Sequence, residues 1–396
     1  NQCHPYMRNL HFADSNQLTL LHNGQEYFPE LETTIETAQF EIYIETYIFE
    51  YDAIGIKISA ALKRAAQRGV SVHLLLDGFG SQNLSREDMQ SMLDAGVQVL
   101  IFRPEFIFSM PRRYRLRRMH RKLVIIDAQI AFIGGINIID DQHNPENLTP
   151  RFDYAVLVRG PLLAQIHTAA RHLWMLVAWV HLKKRWINPI VIKPTDKPCG
   201  HQKAAFVIRD NLRHRHDIEQ AYLAAINRAH TEIIIANAYF LPGRKFSNAL
   251  KNAAQRGVNV ELLLQGKIEY RLQYHATQAL YENLLKSGIK IYEYDRSYLH
   301  AKVAVIDQHW ATVGSSNIDP FSLLLAREAN IIIEDHHFAN ELRTSLKTAI
   351  AEESIPVTQT SKNFFSWRNY VVNWLSFHIV RMMQGVLGYD WHDSKP

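Results

Sequence analysis

One pattern occurs twice in the chain, as MHRKLVIIDAQIAFIGGIN at Met119–Asn137 and as LHAKVAVIDQHWATVGSSN at Leu299–Asn317. Each copy contains H-x-K-x4-D, then a glycine, a small residue and an asparagine that lies seventeen residues after the histidine. Such a recurrence is very improbable by chance, so the two copies indicate a duplication. The positions are His120, Lys122, Asp127, Gly134, Gly135 and Asn137 in the first copy, and His300, Lys302, Asp307, Gly314, Ser315 and Asn317 in the second.

The duplication extends outward from these motifs. Each half contains a β-rich run, a helix-forming segment that ends at a glycine (Gly69 or Gly257), and a short apolar strand. Alternating strands and helices predict an α/β fold with two similar halves, each a mixed β-sheet flanked by helices. We expect a pseudo-twofold relation, with the active site between the halves. The repeated segments are EIYIETYIF and EIIIANAYF, AAQRGV in both halves, and LLLDG and LLLQG.

The spacing of the prolines and the extent of the repeat predict the domain boundaries. INPIVIKPTDKPCGHQK, between the two repeats, contains three prolines and is the candidate linker. The stretch after about Ile355 has no counterpart in the first half. The predicted division is residues 1–190 for the first half, 191–203 for the linker, 204–354 for the second half and 355–396 for an amphipathic, membrane-interacting tail.

Residue types and strand parity predict phosphoryl-transfer chemistry. Side chains alternate along a strand, so His120 and Lys122 share one face, whereas the odd offset of Asp127 points it away, towards a structural role. The second copy has the same parity. Neutral imidazole can attack phosphorus, a second histidine can protonate the leaving alkoxide, and lysines can hold the phosphate charge. We therefore expect no metal and no other cofactor.

The two motifs resemble the HKD motifs of the phospholipase D superfamily. NGQEYFPEL (Asn23–Leu31) and VGSSNIDPFSL (Val313–Leu323) extend the resemblance to bacterial cardiolipin synthases over nearly the whole chain. The resemblance implies a phosphatidyltransferase that makes cardiolipin from two phosphatidylglycerol molecules with release of glycerol, through a covalent phosphatidyl-histidine. It implies that one motif histidine is the nucleophile and the other the acid and base. We expect His120 as the nucleophile and His300 as the acid and base, and the reverse assignment stays open.

The resemblance also implies roles for the remaining site residues. Lys122 and Lys302, with Asn137 and Asn317, would hold the phosphate oxygens. The motif aspartates Asp127 and Asp307 would support the fold nearby. One carboxylate in each half, further along the chain than the motif, would orient the histidine of that half through its other ring nitrogen. The candidates are Asp153 in the first half and Glu328 in the second.

Composition and charge predict the partners. A net charge of +5 favours an anionic partner, here the phospholipid, and no nucleic acid is expected. Two cysteines form no disulfide framework, which is typical of a reducing compartment. The longest apolar run, Leu173–Val180, is far shorter than a bilayer-spanning helix. We expect peripheral binding at the cytoplasmic face of the bacterial inner membrane, and a monomer suffices because both motifs lie on one chain.

Several alternatives stay open at this level. The same motifs suit a phospholipase that hydrolyses the intermediate, a phosphodiesterase acting on nucleic acid, or a membrane-binding protein that has kept the fold without activity. RHLWMLVAWVHLKKRW (Arg171–Trp186) predicts either a buried core helix or an interfacial one. The amphipathic pattern from Phe364 to Leu387 predicts a helix that lies at the bilayer interface or packs on the catalytic domain.

Overall fold

The structure, a computed structural model, describes residues 10–103, 118–141, 150–186, 192–210, 214–268, 271–319, 326–358, 372–376 and 378–379. The first half contains β1 (Phe12–His22), α1 (Asn23–Thr37), β2 (Glu41–Thr46), α2 (Ala53–Gln67), β3 (Ser71–Asp77), α3 (Arg86–Asp94), β4 (Gln98–Phe102), β5 (Arg118–Met119), β6 (Leu123–Ile126), β7 (Ile130–Gly134), β8 (Tyr154–Arg159), α4 (Leu163–Val180) and a 3-10 turn at Lys184–Trp186.

The second half repeats this order of elements. It contains β9 (Gln202–Arg209), α5 (Asp217–Arg228), β10 (Glu232–Asn237), α6 (Arg244–Gln255), β11 (Asn259–Gln265), α7 (Arg271–Lys286), β12 (Lys290–Tyr294), β13 (Lys302–Ile306), β14 (Trp310–Gly314), β15 (Ala326–Glu334), α8 (His336–Glu352) and β16 (Ser354–Val357).

The strands form one long mixed sheet whose order is the same on both sides of the β9–β1 pair, except that β16 extends one end. Its order is β16-β12-β11-β10-β13-β14-β15-β9-β1-β8-β7-β6-β2-β3-β4, with β5 paired to β15. Strands β2, β3 and β4 of the first half are parallel to one another, as are β10, β11 and β12 of the second half. The motif hairpins β6–β7 and β13–β14 are antiparallel. The predicted pair of repeated mixed α/β halves is confirmed.

Burial follows from the strand patterns. β2 and β10 are buried at every position, as expected for strands covered on both faces. One hydrophobic core joins the halves, because β7 and β14 pack against each other there together with α4 and α8. Two further cores lie under α1–α3 in the first half and under α5–α7 in the second. The half-sheets therefore share this core with α4 and α8, whereas α1–α3 and α5–α7 pack in the two other cores.

The helices that precede β3 and β11 end as the sequence predicted. Gly69 and Gly257 have φ angles of +93° and +90°, the left-handed conformation that only glycine adopts at low cost. The predicted linker overlaps the fold slightly, because β9 begins at Gln202. The predicted tail also begins inside the sheet, where β16 pairs with β12. Among the described helices, none is both long and apolar enough to cross a membrane.

Candidate active site

Both motif histidines lie where the parallel strands of their half end. β6 pairs with β2 in the antiparallel direction, so the start of β6 lies beside the end of β2. In the same way, the start of β13 lies beside the end of β10. His120 and His300 immediately precede these antiparallel strands. We call this edge of the half-sheets, at the carboxyl ends of β2–β4 and β10–β12, the histidine end. Sites of α/β proteins commonly lie at the carboxyl ends of strands.

His120 is held by the second half of the chain. Its Nδ1 lies 3.0 Å from Oε1 and 3.1 Å from Oε2 of Glu328. Its backbone N–H donates to the carbonyl oxygen of Arg327 at 2.9 Å, where β5 pairs with the start of β15. The His120 side chain keeps 17% of its surface exposed, and Nε2 is the ring nitrogen that does not bond to Glu328.

His300 is held by the first half in the same way. Its Nδ1 lies 2.6 Å from Oδ2 of Asp153, and its backbone N–H donates to the carbonyl oxygen of Phe152 at 2.9 Å. The ring retains 12% exposure. In both pairs an Nδ1–H donated to the carboxylate leaves the Nε2 lone pair for chemistry, the usual way in which a partner fixes a tautomer.

The two carboxylates predicted to orient the histidines each contact one of them, but their assignment to halves was wrong. Asp153 was expected to serve His120, and Glu328 was expected to serve His300. The structure shows the opposite, because the start of β15 lies beside His120 and the segment before β8 lies beside His300. Sequence distance along one half carried no information about this contact, which forms only when the halves dock.

The motif lysines extend the same arrangement. Lys122 Nζ donates to the carbonyl oxygen of His120 at 2.8 Å, and Lys302 Nζ donates to that of His300. Both lysines are buried, so their ammonium groups are largely withdrawn from water. Burial lowers the pKa of Lys122 to about 7, against the opposing charge of Glu328. An anionic phosphate would stabilise the protonated form.

The pKa values of both motif histidines are depressed. Burial lowers the pKa of His120 although Glu328 opposes it, and burial together with Lys302 lowers the pKa of His300 well below its ordinary value. The charge of Lys302 also reaches His120, and that of Lys122 reaches His300, so both motifs share one electrostatic environment. Burial raises the pKa of Asp153 to about 6.

The motif aspartates lie at the opposite end of the hairpins, in agreement with strand parity. Asp127 accepts the backbone N–H groups of Gln39, Phe40 and Glu41 at 2.8–3.0 Å. Asp307 accepts those of residues 230–232 at 2.8–3.0 Å. Each aspartate has a positive φ, as does the next residue, and these two residues form the tight turn of the motif hairpin. They tie this turn to the start of β2 or β10.

The motif asparagines are buried beside the motif hairpins. Asn137 Oδ1 accepts the backbone N–H of Ile48 at 3.2 Å, which leaves the side-chain amide as the group that could donate to phosphate. Asn317 lines a small cavity together with Glu219 and Tyr222 of α5. The role of both asparagines in phosphate binding stays a prediction.

Two residues that contact the site were missed by sequence reasoning. The ring of Tyr47 meets that of His120 edge to face at 4.9 Å, and Lys122 Nζ lies 5.4 Å from the Tyr47 ring centre. Tyr47 occurs within the repeated run EIYIETYIF, where the corresponding residue of the second half is Ala238. Ser315 Oγ donates to Oε2 of Glu328. At both positions the two halves carry different residues, and this difference in the repeat could have pointed to them.

The asymmetry at Ser315 matches the asymmetry of the carboxylates. Its counterpart in the first half is Gly135, where an added Cβ would lie 2.3 Å from Oδ1 of Asp153. The shorter aspartate thus occurs with glycine, and the longer glutamate occurs with a serine that hydrogen-bonds to it. The carboxylate that contacts a motif histidine is thus accompanied by a different small residue in each half.

Comparison with known proteins decides the family. A family model described as cardiolipin synthase, PLD-like domain, matches residues 31–174 and 222–350. Cardiolipin synthase B of Escherichia coli (strain K12) is 41% identical over 379 residues, which cover 96% of this chain and 91% of the relative. The chain belongs to the cardiolipin synthase family. The resemblance read from the sequence, to cardiolipin synthase B in particular, is confirmed, and the enzyme is a phospholipase D superfamily transferase.

More distant matches agree with this membership. A cardiolipin synthase of Geobacillus thermodenitrificans is 31% identical over 331 residues, which cover 83% of this chain and 65% of the relative. The crystal structure of phosphatidylserine synthase from Haemophilus influenzae Rd KW20 superimposes with a TM-score of 0.71 at 14% identity. It covers 96% of this chain and 97% of that chain, which shows a shared fold.

The Gly135–Asp153 contact predicts a paired substitution effect. Gly135→Ser should push the Asp153 carboxylate away from His300 and lower kcat by about 10- to 100-fold, as loss of an orienting partner does. Adding Asp153→Glu should restore much of the loss, because it reproduces the Ser315–Glu328 arrangement. Steady-state kinetics with thermal melting of each variant would check this. Wild-type kcat in the Gly135→Ser single variant would show that the contact has no role in turnover.

The turn contacts predict that Asp307 acts on stability. Asp307→Ala removes a carboxylate that accepts several backbone N–H bonds and should lower the free energy of unfolding by about 2–3 kcal/mol. Burial opposes ionisation, but the backbone N–H groups hold the pKa of Asp307 below its usual value. This stabilisation is therefore present at neutral pH and is lost as pH falls through that depressed pKa.

Urea unfolding and turnover of the folded variant would test this role. Asp127→Ala is the matched variant in the first half and should behave alike. A turnover loss of more than roughly tenfold at temperatures where Asp307→Ala is fully folded would instead place this carboxylate in the chemistry, because tenfold corresponds to about 1.4 kcal/mol of transition-state stabilisation.

Proposed function

We propose that the enzyme makes cardiolipin from two phosphatidylglycerol molecules and releases glycerol. The observation that carries this proposal is the crosswise pairing of the two motif histidines with Glu328 and Asp153, which leaves each ring a reactive Nε2 in one shared site. Membership of the cardiolipin synthase family supports the substrate and the product.

In the first step, the Nε2 lone pair of His120 attacks the phosphorus of one phosphatidylglycerol. A P–N bond forms while the P–O bond to the glycerol headgroup breaks. His300, protonated at Nε2, gives its proton to the departing alkoxide, so glycerol leaves as a neutral alcohol. The products of this half-reaction are a phosphatidyl-His120 enzyme and neutral His300.

In the second step, His300 takes the proton from a hydroxyl of a second phosphatidylglycerol. The oxygen attacks the phosphorus, the P–N bond to His120 breaks, and cardiolipin is released with both rings restored. Water is the competing nucleophile, and its attack would give phosphatidic acid, the product of a phospholipase. The balance between synthesis and hydrolysis therefore depends on how well the site holds the acceptor and excludes water.

The assignment of the two histidines rests on their different partners. Glu328 contacts His120 through both carboxylate oxygens and is itself held by Ser315, which suits a nucleophile kept in one orientation. Asp153 contacts His300 through one carboxylate oxygen, and burial raises the pKa of this carboxyl to about 6. We assign the acid and base to His300 on this difference.

Phosphate binding falls to the two lysines, with the asparagines as additional donors. Lys122 and Lys302 are buried cations, and the negative charge of a phosphodiester would raise the depressed pKa values of the neighbouring rings. Substrate binding would thereby protonate His300 for its role as the acid. Asn137 can donate its side-chain amide to a phosphate oxygen, and Asn317 is proposed to do the same on the other side.

Tyr47 suits the exclusion of water from the intermediate. Its ring lies against one side of His120, where the phosphatidyl group would be attached. The corresponding Ala238 provides no such cover near His300, where the acceptor hydroxyl must enter. We therefore assign Tyr47 a positioning role that favours transfer over hydrolysis.

The remaining partners follow from the proposed substrate. An enzyme whose donor and acceptor are both bilayer lipids must work at a membrane surface, and we propose peripheral association with the cytoplasmic face of the inner membrane. No nucleic-acid substrate is proposed. One chain supplies both motifs and both carboxylates, so the proposed active unit is a monomer.

The two histidines should separate in a trapping experiment. With a nitrophenyl ester of phosphatidic acid, whose leaving group needs no proton, His300→Ala should still form the phosphatidyl enzyme but fail to pass it on. His120→Ala should form none. Base-quenched intact-protein mass spectrometry would detect the added phosphatidyl mass. Accumulation on His120→Ala and none on His300→Ala would reverse the two roles.

A product assay tests the proposed reaction directly. Phosphatidylglycerol alone should yield cardiolipin and glycerol in equal amounts, measured by lipid mass spectrometry and an enzymatic glycerol assay. Excess chelator should leave the rate unchanged, because the lysines supply the positive charge. Phosphatidic acid as the main product would make the enzyme a hydrolase, and a rate restored by one divalent ion would contradict the metal-free mechanism.

A further inference from the structure

Exposed apolar side chains collect at the histidine end of the molecule. In the first half, the turn that follows β3 carries Phe79, which is exposed and packs under the guanidinium of Arg118. In the second half, the corresponding connection after β11 carries exposed Ile268 and Leu272. Both connections leave the carboxyl ends of parallel strands, so they flank the site from opposite halves.

Helix α4 adds a second group of exposed apolar residues at this end. His167 bonds to Glu41 at the start of β2, and Trp174 contacts Tyr43 further along that strand, so α4 advances in the same direction as β2. Its last turn therefore reaches the histidine end. Trp174 is buried, but exposure rises beyond it, to 68% for Trp179 and 80% for Leu182. The first part of this segment is therefore a core helix, and its last turn is exposed.

In the helical residues 372–376, the polar side chains are buried and the apolar ones exposed, which is the reverse of an ordinary surface helix. Asn373 and Ser376 are buried, whereas Trp374 and Leu375 are 49% and 46% exposed. Asn373 Oδ1 lies 2.8 Å from Nδ1 of His275 in α7, which places this helix near the start of α7, again at the histidine end. The polar side contacts the protein and the apolar side faces outward. Apart from residues 378–379, the rest of the predicted tail helix lies outside the described residues.

We infer that the histidine end is the membrane-docking surface of the enzyme, with an anionic phospholipid bilayer as its partner. We define this surface by three groups of exposed residues: Phe79 with Ile268 and Leu272, Trp179 with Leu182, and Trp374 with Leu375. Basic side chains accompany them along the chain. Lys183 and Arg185 follow α4, and Lys267 and Arg271 flank Ile268. Apolar and tryptophan side chains with nearby cations are what an anionic bilayer interface accommodates.

This inference rests on the proposed function, because the surface surrounds the site that must receive bilayer lipids. A bilayer seated here would present phosphates at the depth of the histidines while the acyl chains stay among lipid. A second copy of the chain seated on the same residues would cover the entrance to the site. An inverted amphipathic helix is unfavourable in water, since its apolar side gains free energy only once it is covered.

Two double variants test the surface. Trp179→Ser/Leu182→Ser and Trp374→Ser/Leu375→Ser should each weaken co-flotation with phosphatidylethanolamine–phosphatidylglycerol vesicles by roughly tenfold, as expected for losing two partly buried apolar groups. Phe40→Ser is the matched control. Phe40 is an exposed aromatic residue whose N–H bonds to Asp127, at the end opposite to the histidines. It should float like the wild type.

Turnover in detergent micelles separates this inference from the proposed function. The double variants should make cardiolipin from phosphatidylglycerol in mixed micelles at wild-type rates, because micelles deliver the lipid without docking. A wild type that floats on vesicles but makes no cardiolipin in micelles contradicts the proposed reaction and leaves the docking surface supported. Unchanged flotation of both double variants overturns the docking surface. If light scattering then also shows that the variants have lost a dimer, the surface is a contact between two copies of the chain.

A spectroscopic measurement avoids destabilising changes. Lipids brominated in their acyl chains should quench part of the tryptophan fluorescence of the wild type on vesicles. Trp179→Phe and Trp374→Phe should each remove a share of that quenching while they preserve an apolar ring. Quenching that persists undiminished in both variants would place the bilayer against a different surface.

Discussion

The crosswise bonds between each motif imidazole and a carboxylate of the other half are the constraint on which the site depends. Each histidine–carboxylate pair joins the two halves: His120 contacts Glu328, and His300 contacts Asp153. A half docked wrongly would leave a buried carboxylate without its partner, which is costly. The stacking of β7 on β14 and the continuity of the sheet through β9 and β1 hold the halves in the one arrangement that satisfies both pairs.

The same docking concentrates positive charge that water does not solvate. Lys122 and Lys302 are buried close enough to influence both histidines, and burial depresses the pKa of Lys122 to about 7. Buried ammonium groups are poorly solvated, and an anionic phosphate would offset this cost. This preorganisation is how fixed charges stabilise a phosphoryl transition state without reorganising during the reaction.

Duplication supplied two equivalent imidazoles, and small departures from symmetry make them different. Glu328 with Ser315 fixes one ring, whereas Asp153 with Gly135 gives the other a carboxylate whose pKa burial raises to about 6. Tyr47 covers His120, and its counterpart is an alanine. The apolar surroundings of the site are also unequal, because α4 and the 372–376 helix each contribute from one half only among the described residues. The two halves share one fold, but the surroundings of His120 and His300 differ.

The motifs, their strand parity and the glycine helix stops were determined by the sequence itself, because they depend on local geometry. Alternation along a strand placed His120 and Lys122 together and sent Asp127 to the turn, where the structure finds it. The partner of each histidine was decided by tertiary structure, since these contacts join residues 208 and 147 positions apart. The outward apolar side of residues 372–376 was decided there too. A periodic pattern identifies two faces of a helix, but the surface against which it packs selects the face that is buried.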